Sequence, residues 1–455
     1  MFDLSLLNLV IEEDLFQSSE VELSTDSRTY SGEGLFICLC GENFDGFNFI
    51  EPVLEKGCKN IVFRNNDENL ERMNALSEKF QDVTFIGVDS PLATLQSLAN
   101  KRIRQFKNDG GFVFGITGSN GKTTTKEMLA SLLSSAYGKE VHATKGNLNN
   151  HIGVPLTILS APTCCKYMIV EMGANHVGEI SDLCEIAMPE FGIISSVGAA
   201  HIGLFGGIEN IFKEKKSLYD YVLRFKTDRS KFIVNNEDKY LSQISPSEVL
   251  IKFGDSSDVD VTYDEGKIVI NNVNIENVNI LEKYNLSNLA SAYLLAVNIF
   301  PDKKDTFISA ASEYRIPSLN RSEWIQRNGK QIFLDAYNAN PTSMESSLNS
   351  FIENMKKKGI PLDDVLFVLG DMNELGDYAK DEHERIAREL DGLGAKNVIF
   401  VGNYSKYYMQ GLPSGIMFEK KEDLVSRWSE LSKECSALFI KASRSLQLES
   451  LIDIT

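Results

Sequence analysis

Phe112-Val-Phe-Gly-Ile-Thr-Gly-Ser-Asn-Gly-Lys-Thr-Thr-Thr-Lys126 holds the residues best suited to chemistry in this chain. An apolar strand runs into a Gly-rich turn, and a helix starts at the lysine. Glycines let backbone N–H groups point inward, and the helix N-terminus adds the positive end of its dipole. Such a turn cradles anionic phosphates. Thr117, Gly118, Ser119, Asn120, Gly121, Lys122, Thr123 and Thr124 are the candidate contacts. Lys122 is placed to reach β/γ-phosphates and the Thr123 hydroxyl to bind Mg²⁺. The general pattern wants Gly five positions before Gly121, where this chain has Ile116; glycines stand at Gly115 and Gly118 instead. The loop is a variant, TGSNGKTT, and by itself it does not separate a motor, a switch or a ligase.

The elements that must position this loop follow from hydrophobic patterning. Strands are expected at Phe112 to Thr117, Val141 to Ala143, Tyr167 to Glu171 and Gly192 to Val197. Helices fit Lys122 to Ala136, Glu179 to Ile186, Glu209 to Val222 and Asn285 to Ile299. Apolar strands separated by helical patterns mean a parallel sheet covered on both faces. Asp258 to Ile280 alternates apolar and polar residues, with turns at Glu265-Gly266 and Asn271-Asn272, as a small antiparallel insertion would. Before residue 108, strands fit Gly34 to Cys40, Asn60 to Phe63 and Thr84 to Val88. Beyond Ile316-Pro317 they fit Gln331 to Asp335, Val365 to Leu369, Asn397 to Val401 and Ala437 to Lys441, with helices between. The expected class is α/β in three domains: a small α/β domain (1–107), a central P-loop-like parallel-sheet domain (108–313) and a C-terminal doubly wound, Rossmann-like domain (314–455).

Composition bounds the function. Of 455 residues, 43% are apolar and 24% charged, enough to bury sizeable cores. Asp plus Glu (64) exceed Lys plus Arg (46), a net charge of −18 that argues against a nucleic-acid binder. The seven cysteines show no zinc or CxxC spacing, so reduced thiols in the cytoplasm are expected. The N-terminus has no basic segment of the kind that opens a signal peptide, and Ala290 to Phe300 is far short of a membrane span. No membrane insertion is expected.

Further motifs extend the pattern. Thr117 to Met128 resembles the ATP loop of the Mur ligases, which add amino acids to the peptidoglycan precursor. Asn147-Leu-Asn-Asn-His-Ile-Gly-Val-Pro155 resembles their next block. Glu171-Met-Gly-Ala-Asn-His-Val-Gly-Glu-Ile180 is similar to the block of the branch that adds D-alanyl-D-alanine. Asp335-Ala-Tyr-Asn-Ala-Asn-Pro-Thr-Ser-Met344, Gly370-Asp-Met-Asn-Glu-Leu-Gly376 and Lys441-Ala-Ser-Arg444 point the same way. So do Asp26-Ser-Arg28, Gly34-Leu-Phe36 and Asn43-Phe-Asp-Gly46, which look like that branch's uridine-nucleotide domain. The resemblance runs from about Thr25 to Glu449 in the family's order.

It implies an ATP-dependent ligase that joins D-alanyl-D-alanine to UDP-N-acetylmuramoyl-tripeptide through an acyl phosphate, releasing ADP and phosphate. Cations beside the transferred phosphoryl group would counter the approach of two anions. The resemblance implies Mg²⁺ ions, two in number, held by Thr123, Glu171, His201 and a carbamylated Lys215. Three lysines compete in the segment from Phe205 to Leu218, namely Lys213, Lys215 and Lys216; counting from Gly206 and Glu209 selects Lys215, and Ser217 stands where the family often has Glu. Lys122, Lys215, His201 and Arg321 are the implied catalytic set, with Arg321 reaching the ATP from the third domain. Asn285, Asn288, Asp335 and Asn338 are implied nucleotide contacts, Asn288 pairing with an adenine edge; Tyr284 stands where the family usually has His. Ser27, Arg28 and Asn147 are implied on the UDP-precursor side, and Lys441, Ser443 and Arg444 on the dipeptide carboxylate. Asp371 and Glu374 are placed near the dipeptide amine, the Asn340-Pro341 turn is structural, and Trp324 and Trp428 pack in the third domain. A monomer is expected.

Two other readings compete. A superfamily ligase for another amino acid should carry an Asp-Asn-Pro-Arg-type block, where this chain has Tyr337-Asn-Ala-Asn-Pro341, and folate ligases lack the uridine domain. A non-catalytic P-loop protein should have lost Lys122, Glu171 or Lys215, and all three are present.

Overall fold

The computed structural model describes residues 2–11, 20–32, 34–41, 44–255, 257–264, 266–317 and 320–455. Asn43 and Glu265, which belong to a motif and a turn named above, lie outside the described residues.

The central sheet carries the phosphate loop. Its six strands are all parallel, in the spatial order Leu250–Phe253, Lys231–Asn235, Phe191–Ile194, Phe112–Thr117, Tyr167–Glu171 and Val141–Ala143. The inner strands are buried on both faces, which is why they read as unbroken apolar runs. From Phe112–Thr117 the chain winds first to one side of that strand and later to the other. This opens a crevice at the carboxyl ends of Phe112–Thr117 and Phe191–Ile194, where doubly wound sheets place ligands. The expected strand Gly192 to Val197 ends at Ile194, because Ser195 and Ser196 turn away to bond the loop. The expected helices appear as Lys122–Tyr137, Glu179–Ala187, Ile208–Arg224 and Lys283–Ile299. The antiparallel insertion is a three-stranded sheet, Val261–Asp264, Lys267–Ile270 and Val273–Glu276.

The N-terminal sheet orders Phe2–Asp3, Glu20–Ser24, Gly34–Ile37, Asn60–Arg64 and Thr84–Val88, parallel after its first pair. The helix Pro91–Asn108 then docks on the central part: Gln96 donates to the His151 carbonyl (3.1 Å), Asn100 to that of Glu185 (2.7 Å) and Lys107 to that of Met188 (2.9 Å).

The C-terminal sheet orders Glu323–Arg327, Lys330–Asp335, Ala437–Lys441, Val365–Gly370, Asn397–Val401 and Ile416–Phe418. Its first pair is antiparallel and the others parallel. The chain is thus an α/β protein in three parts. Strands at Lys231–Asn235, Leu250–Phe253, Glu323–Arg327 and Ile416–Phe418 were not anticipated from the pattern. Among the described residues no helix is long and apolar enough to cross a membrane.

Candidate active site

The phosphate loop is built as its sequence demands. Gly121 has φ +81° and ends the turn just before the helix, and a Cβ there would stand 2.7 Å from Asn288 Oδ1. A side chain is therefore excluded on both backbone and steric grounds. The turn is fastened to the end of the neighbouring strand. Ser119 N donates to the Ser196 carbonyl (2.8 Å), Asn120 N to Ser196 Oγ (3.0 Å), and Ser119 Oγ to the Gly198 carbonyl (2.9 Å). Thr117 Oγ1 donates to the Met172 carbonyl at 2.8 Å. Lys122 Nζ folds back on the loop, donating to the carbonyls of Gly118 (2.8 Å) and Ser119 (3.1 Å). Burial lowers its pKa and the nearby Arg321 lowers it further, while Glu171 opposes them. Thr123 and Thr124 share a small cleft with Arg321.

Glu171 closes the strand Tyr167–Glu171 and is 1% exposed. Its Oε1 accepts from Thr123 Oγ1 (3.1 Å) and Asn149 Nδ2 (2.8 Å), while Oε2 is buried without a partner among the described residues. An orphaned buried carboxylate oxygen is costly unless something cationic meets it. Together with the Thr123 hydroxyl it makes a hard-oxygen pair that fits Mg²⁺. Asn149 was not anticipated from the sequence, where Asn147 of the same block was expected on the UDP-precursor side. Asn147 is exposed, and Asn149 is the residue that reaches the carboxylate. Thr144 was also missed; its hydroxyl accepts from Glu171 N at 3.0 Å.

Lys215 lies on the buried face of the helix Ile208–Arg224 and is 3% exposed. Among the described residues its ammonium has no hydrogen bond or ion pair; it stands 5.6 Å from the Phe205 ring. Burial, with Lys122 close by, pushes its pKa down to about 7. Neighbouring Glu214 is spent elsewhere, accepting from Gly178 N and Ile180 N at 2.6 Å each, at the start of the helix Glu179–Ala187.

The third part of the chain closes on the loop. Asn120 and Asn340 exchange hydrogen bonds through their amides, at 2.7 and 3.3 Å. Asn340 also caps the helix Pro341–Lys357, so its expected structural role is joined by a contact to the loop. Thr342 Oγ1 accepts from Ala199 N at 3.0 Å. Arg321 stacks 3.8 Å from the Tyr337 ring centroid, its Nε buried without a partner among the described residues.

Several residues expected to contact ligands are engaged by other parts of the chain. His201 Nδ1 meets the Glu374 carboxylate across the domain boundary, which leaves only Nε2 for an ion and gives Glu374 a closing contact in place of a free acid. Asp335 and Lys441, expected on the nucleotide and on the dipeptide, meet each other in this structure. They are register partners on adjacent strands, Lys441 is 1% exposed, and its ammonium pairs with the Asp335 carboxylate, which also accepts from Ser347. Asp371 is buried and accepts from Asn403 N and Tyr404 N at 2.9 Å each, so it organises a turn. Ser443 Oγ is taken by Asn373 N (3.1 Å), and exposed Arg444 pairs with Glu449. Asn288 lies against Gly121, and its Nδ2 donates to Asn285 Oδ1 at 3.5 Å. Asn338 is exposed, with Oδ1 bonded to Ala339 N. In the first domain Ser27 is half-buried, while Arg28 is exposed and grips Asp26, the last residue's pKa falling to about 2 as a result. Both stand far along the chain from the loop. Trp324 and Trp428 both pack within the third domain, and Trp324 also bonds Glu282 of the central one.

A phosphate cradle, a buried cation-hungry carboxylate and a buried lysine of lowered pKa lie beneath a domain that closes over them. Comparison with known proteins agrees with that arrangement. Residues 116–296 match the Mur ligase middle domain, and residues 320–444 match the Mur ligase glutamate ligase domain. A UDP-N-acetylmuramoyl-tripeptide–D-alanyl-D-alanine ligase of Bacillus subtilis (strain 168) is 31% identical over 94% of this chain and 92% of its own. The enzyme of that name from Rickettsia prowazekii is 28% identical over 95% and 94%. Among solved structures, MurF from Acinetobacter baumannii superposes with TM-score 0.85 at 26% identity, covering 100% of this chain and 98% of that one. MurF from Thermotoga maritima in complex with ADP does so with TM-score 0.76 at 25% identity, covering 95% and 96%. With nearly its whole length matched at such identity, the chain belongs to the Mur ligase family.

Proposed function

We propose that the chain joins D-alanyl-D-alanine to UDP-N-acetylmuramoyl-tripeptide at the expense of ATP, the last cytoplasmic step in assembling the peptidoglycan pentapeptide precursor. The observation that carries this is the buried Glu171 oxygen without a partner beside Thr123, with Lys122 and Arg321 near enough to act on one another. That is a place for the terminal phosphates of a nucleotide. The names of the relatives supply the substrates.

In this reading the tripeptide carboxylate attacks the γ-phosphorus and ADP leaves. The dipeptide amine then attacks the acyl carbon, loses a proton, and expels phosphate. Thr123 and Glu171 would hold Mg²⁺, which supplies positive charge among the phosphates when bound. Lys122 turns from the loop carbonyls to the phosphates, and Arg321 adds a second cation from the third domain. Lys215, whose pKa burial lowers to about 7, adds CO₂ in its neutral form and loses a proton to become a carbamate. With His201 Nε2 this carbamate would hold a second Mg²⁺. Asn285 and Asn288 contact the adenine, with Asn338 on the nucleotide side. Ser27, Arg28 and Asn147 serve the UDP precursor, and Ser443 and Arg444 the dipeptide. Domains at 1–107, 108–313 and 314–455 divide these tasks in a cytoplasmic monomer.

The test is ADP release with each acceptor in turn. It should require both the UDP-tripeptide and D-alanyl-D-alanine; equal turnover with free lysine or glutamate would refute the assignment.

A further inference from the structure

Glu282 immediately precedes the helix Lys283–Ile299 and is 2% exposed. Among the described residues no cation pairs with it, and burial pushes its pKa up. Two donors hold it instead. Trp324 Nε1 donates to Oε1 at 2.6 Å, and Asn285 Nδ2 donates to Oε2 at 3.1 Å. The chain of bonds continues: Asn288 Nδ2 donates to Asn285 Oδ1 at 3.5 Å, and Asn288 Oδ1 lies against Gly121 of the phosphate loop.

An Asn amide can present either end, and what decides is the partner. A carboxylate only accepts, so it forces Asn285 to turn its NH₂ inward. Asn285 must then offer its oxygen to Asn288, which fixes that amide too. Trp324 belongs to the strand Glu323–Arg327 of the third domain, its ring stacked 5.7 Å from Phe351 and set edge-on to Phe333 at 5.1 Å. The chain of bonds therefore starts in the domain that closes and ends at the loop.

We propose that Glu282 is a positioning residue for base selection, holding the amides of Asn285 and Asn288 in the one orientation that reads the nucleotide base, and doing so in concert with Trp324. The inference rests on the reading of Asn285 and Asn288 as base contacts.

The variant E282Q tests it. Glutamine has one acceptor where two donors converge, so either Trp324 or Asn285 loses its bond, and Asn285 can recover only by reversing, which reverses Asn288 as well. The measurement is kcat/KM for ATP against ITP, whose base carries an acceptor in place of the 6-amino donor, on the full chain with both peptide substrates. E282Q should lower the preference for ATP by about tenfold, in KM rather than kcat. Removing the competing donor should restore the preference: in E282Q/W324F the single Gln oxygen serves Asn285 alone. A merely structural Glu282 would change stability in both variants and the ratio in neither. An unchanged ratio in E282Q, or a double variant no better than the single, overturns the inference. Should E282Q fold poorly, the double variant carries the test alone, and loss of preference there overturns it. N285A separates the two claims: if it leaves the ratio unaltered, the base-site reading itself fails.

Discussion

Replacing Lys215 with methionine should make the protein more stable and less active at once. The side chain is buried, faces Lys122, and has no carboxylate bonded to its ammonium. At roughly 1.4 kcal/mol per pH unit, lowering the pKa from 10.5 to about 7 sets about 4 kcal/mol against folding at pH 7. Between those two values the unfolded chain holds a proton that the folded one releases, so stability rises with pH through that window. The penalty is full below pH 7, falls to about 2 kcal/mol at pH 9, and vanishes above 10.5. Met keeps the apolar stem in place without the charge. In CO₂-free buffer without nucleotide, K215M should melt roughly 8–16 °C above the parent at pH 7, taking about 2–4 °C per kcal/mol for a part of this size. The gap should narrow by about half at pH 9. Calorimetry at the two pH values measures this. A K215M protein no more stable than the parent at pH 7, or a gap that ignores pH, would refute the reasoning.

Other outcomes follow from single contacts. K215A should lose most activity and regain part of it with added formate or acetate, which stand in for a carbamate; normal activity in the variant would exclude that role. K441M leaves the Asp335 carboxylate buried without its partner and should cost about 3–5 kcal/mol of stability; a raised KM for the dipeptide without loss of stability would return Lys441 to the substrate. N149A removes one of the two donors to Glu171 Oε1 and should weaken Mg²⁺-dependent turnover about 10- to 100-fold, read from a magnesium titration. G121A forces a Cβ onto Asn288 in a left-handed turn, and nucleotide binding by calorimetry should fall below detection while the N-terminal domain melts unchanged.

The phosphate loop was legible because its strand, glycines and helix start lie within fifteen consecutive residues, each shaped by local rules. Glu171 was legible as the end of an apolar strand. What stayed hidden depends on pairings far apart in sequence. Asp335 and Lys441 each look like free ligand groups, and only the parallel register of two strands separated by more than a hundred residues makes them counter-ions. The Asn120–Asn340 exchange and the His201–Glu374 contact exist only once two domains meet. Glu282 carries no motif at all. Its role emerges from the convergence of Trp324 and Asn285 on one buried carboxylate.

The most direct measurement follows oxygen. Tripeptide precursor labelled with ¹⁸O in its terminal carboxylate is incubated with ATP, Mg²⁺ and D-alanyl-D-alanine, and the products are weighed by mass spectrometry. Transfer of the γ-phosphoryl group to that carboxylate requires one labelled oxygen in each phosphate released and none in the ADP. Unlabelled phosphate, or label carried into a nucleotide, would contradict the proposed use of the loop at Lys122.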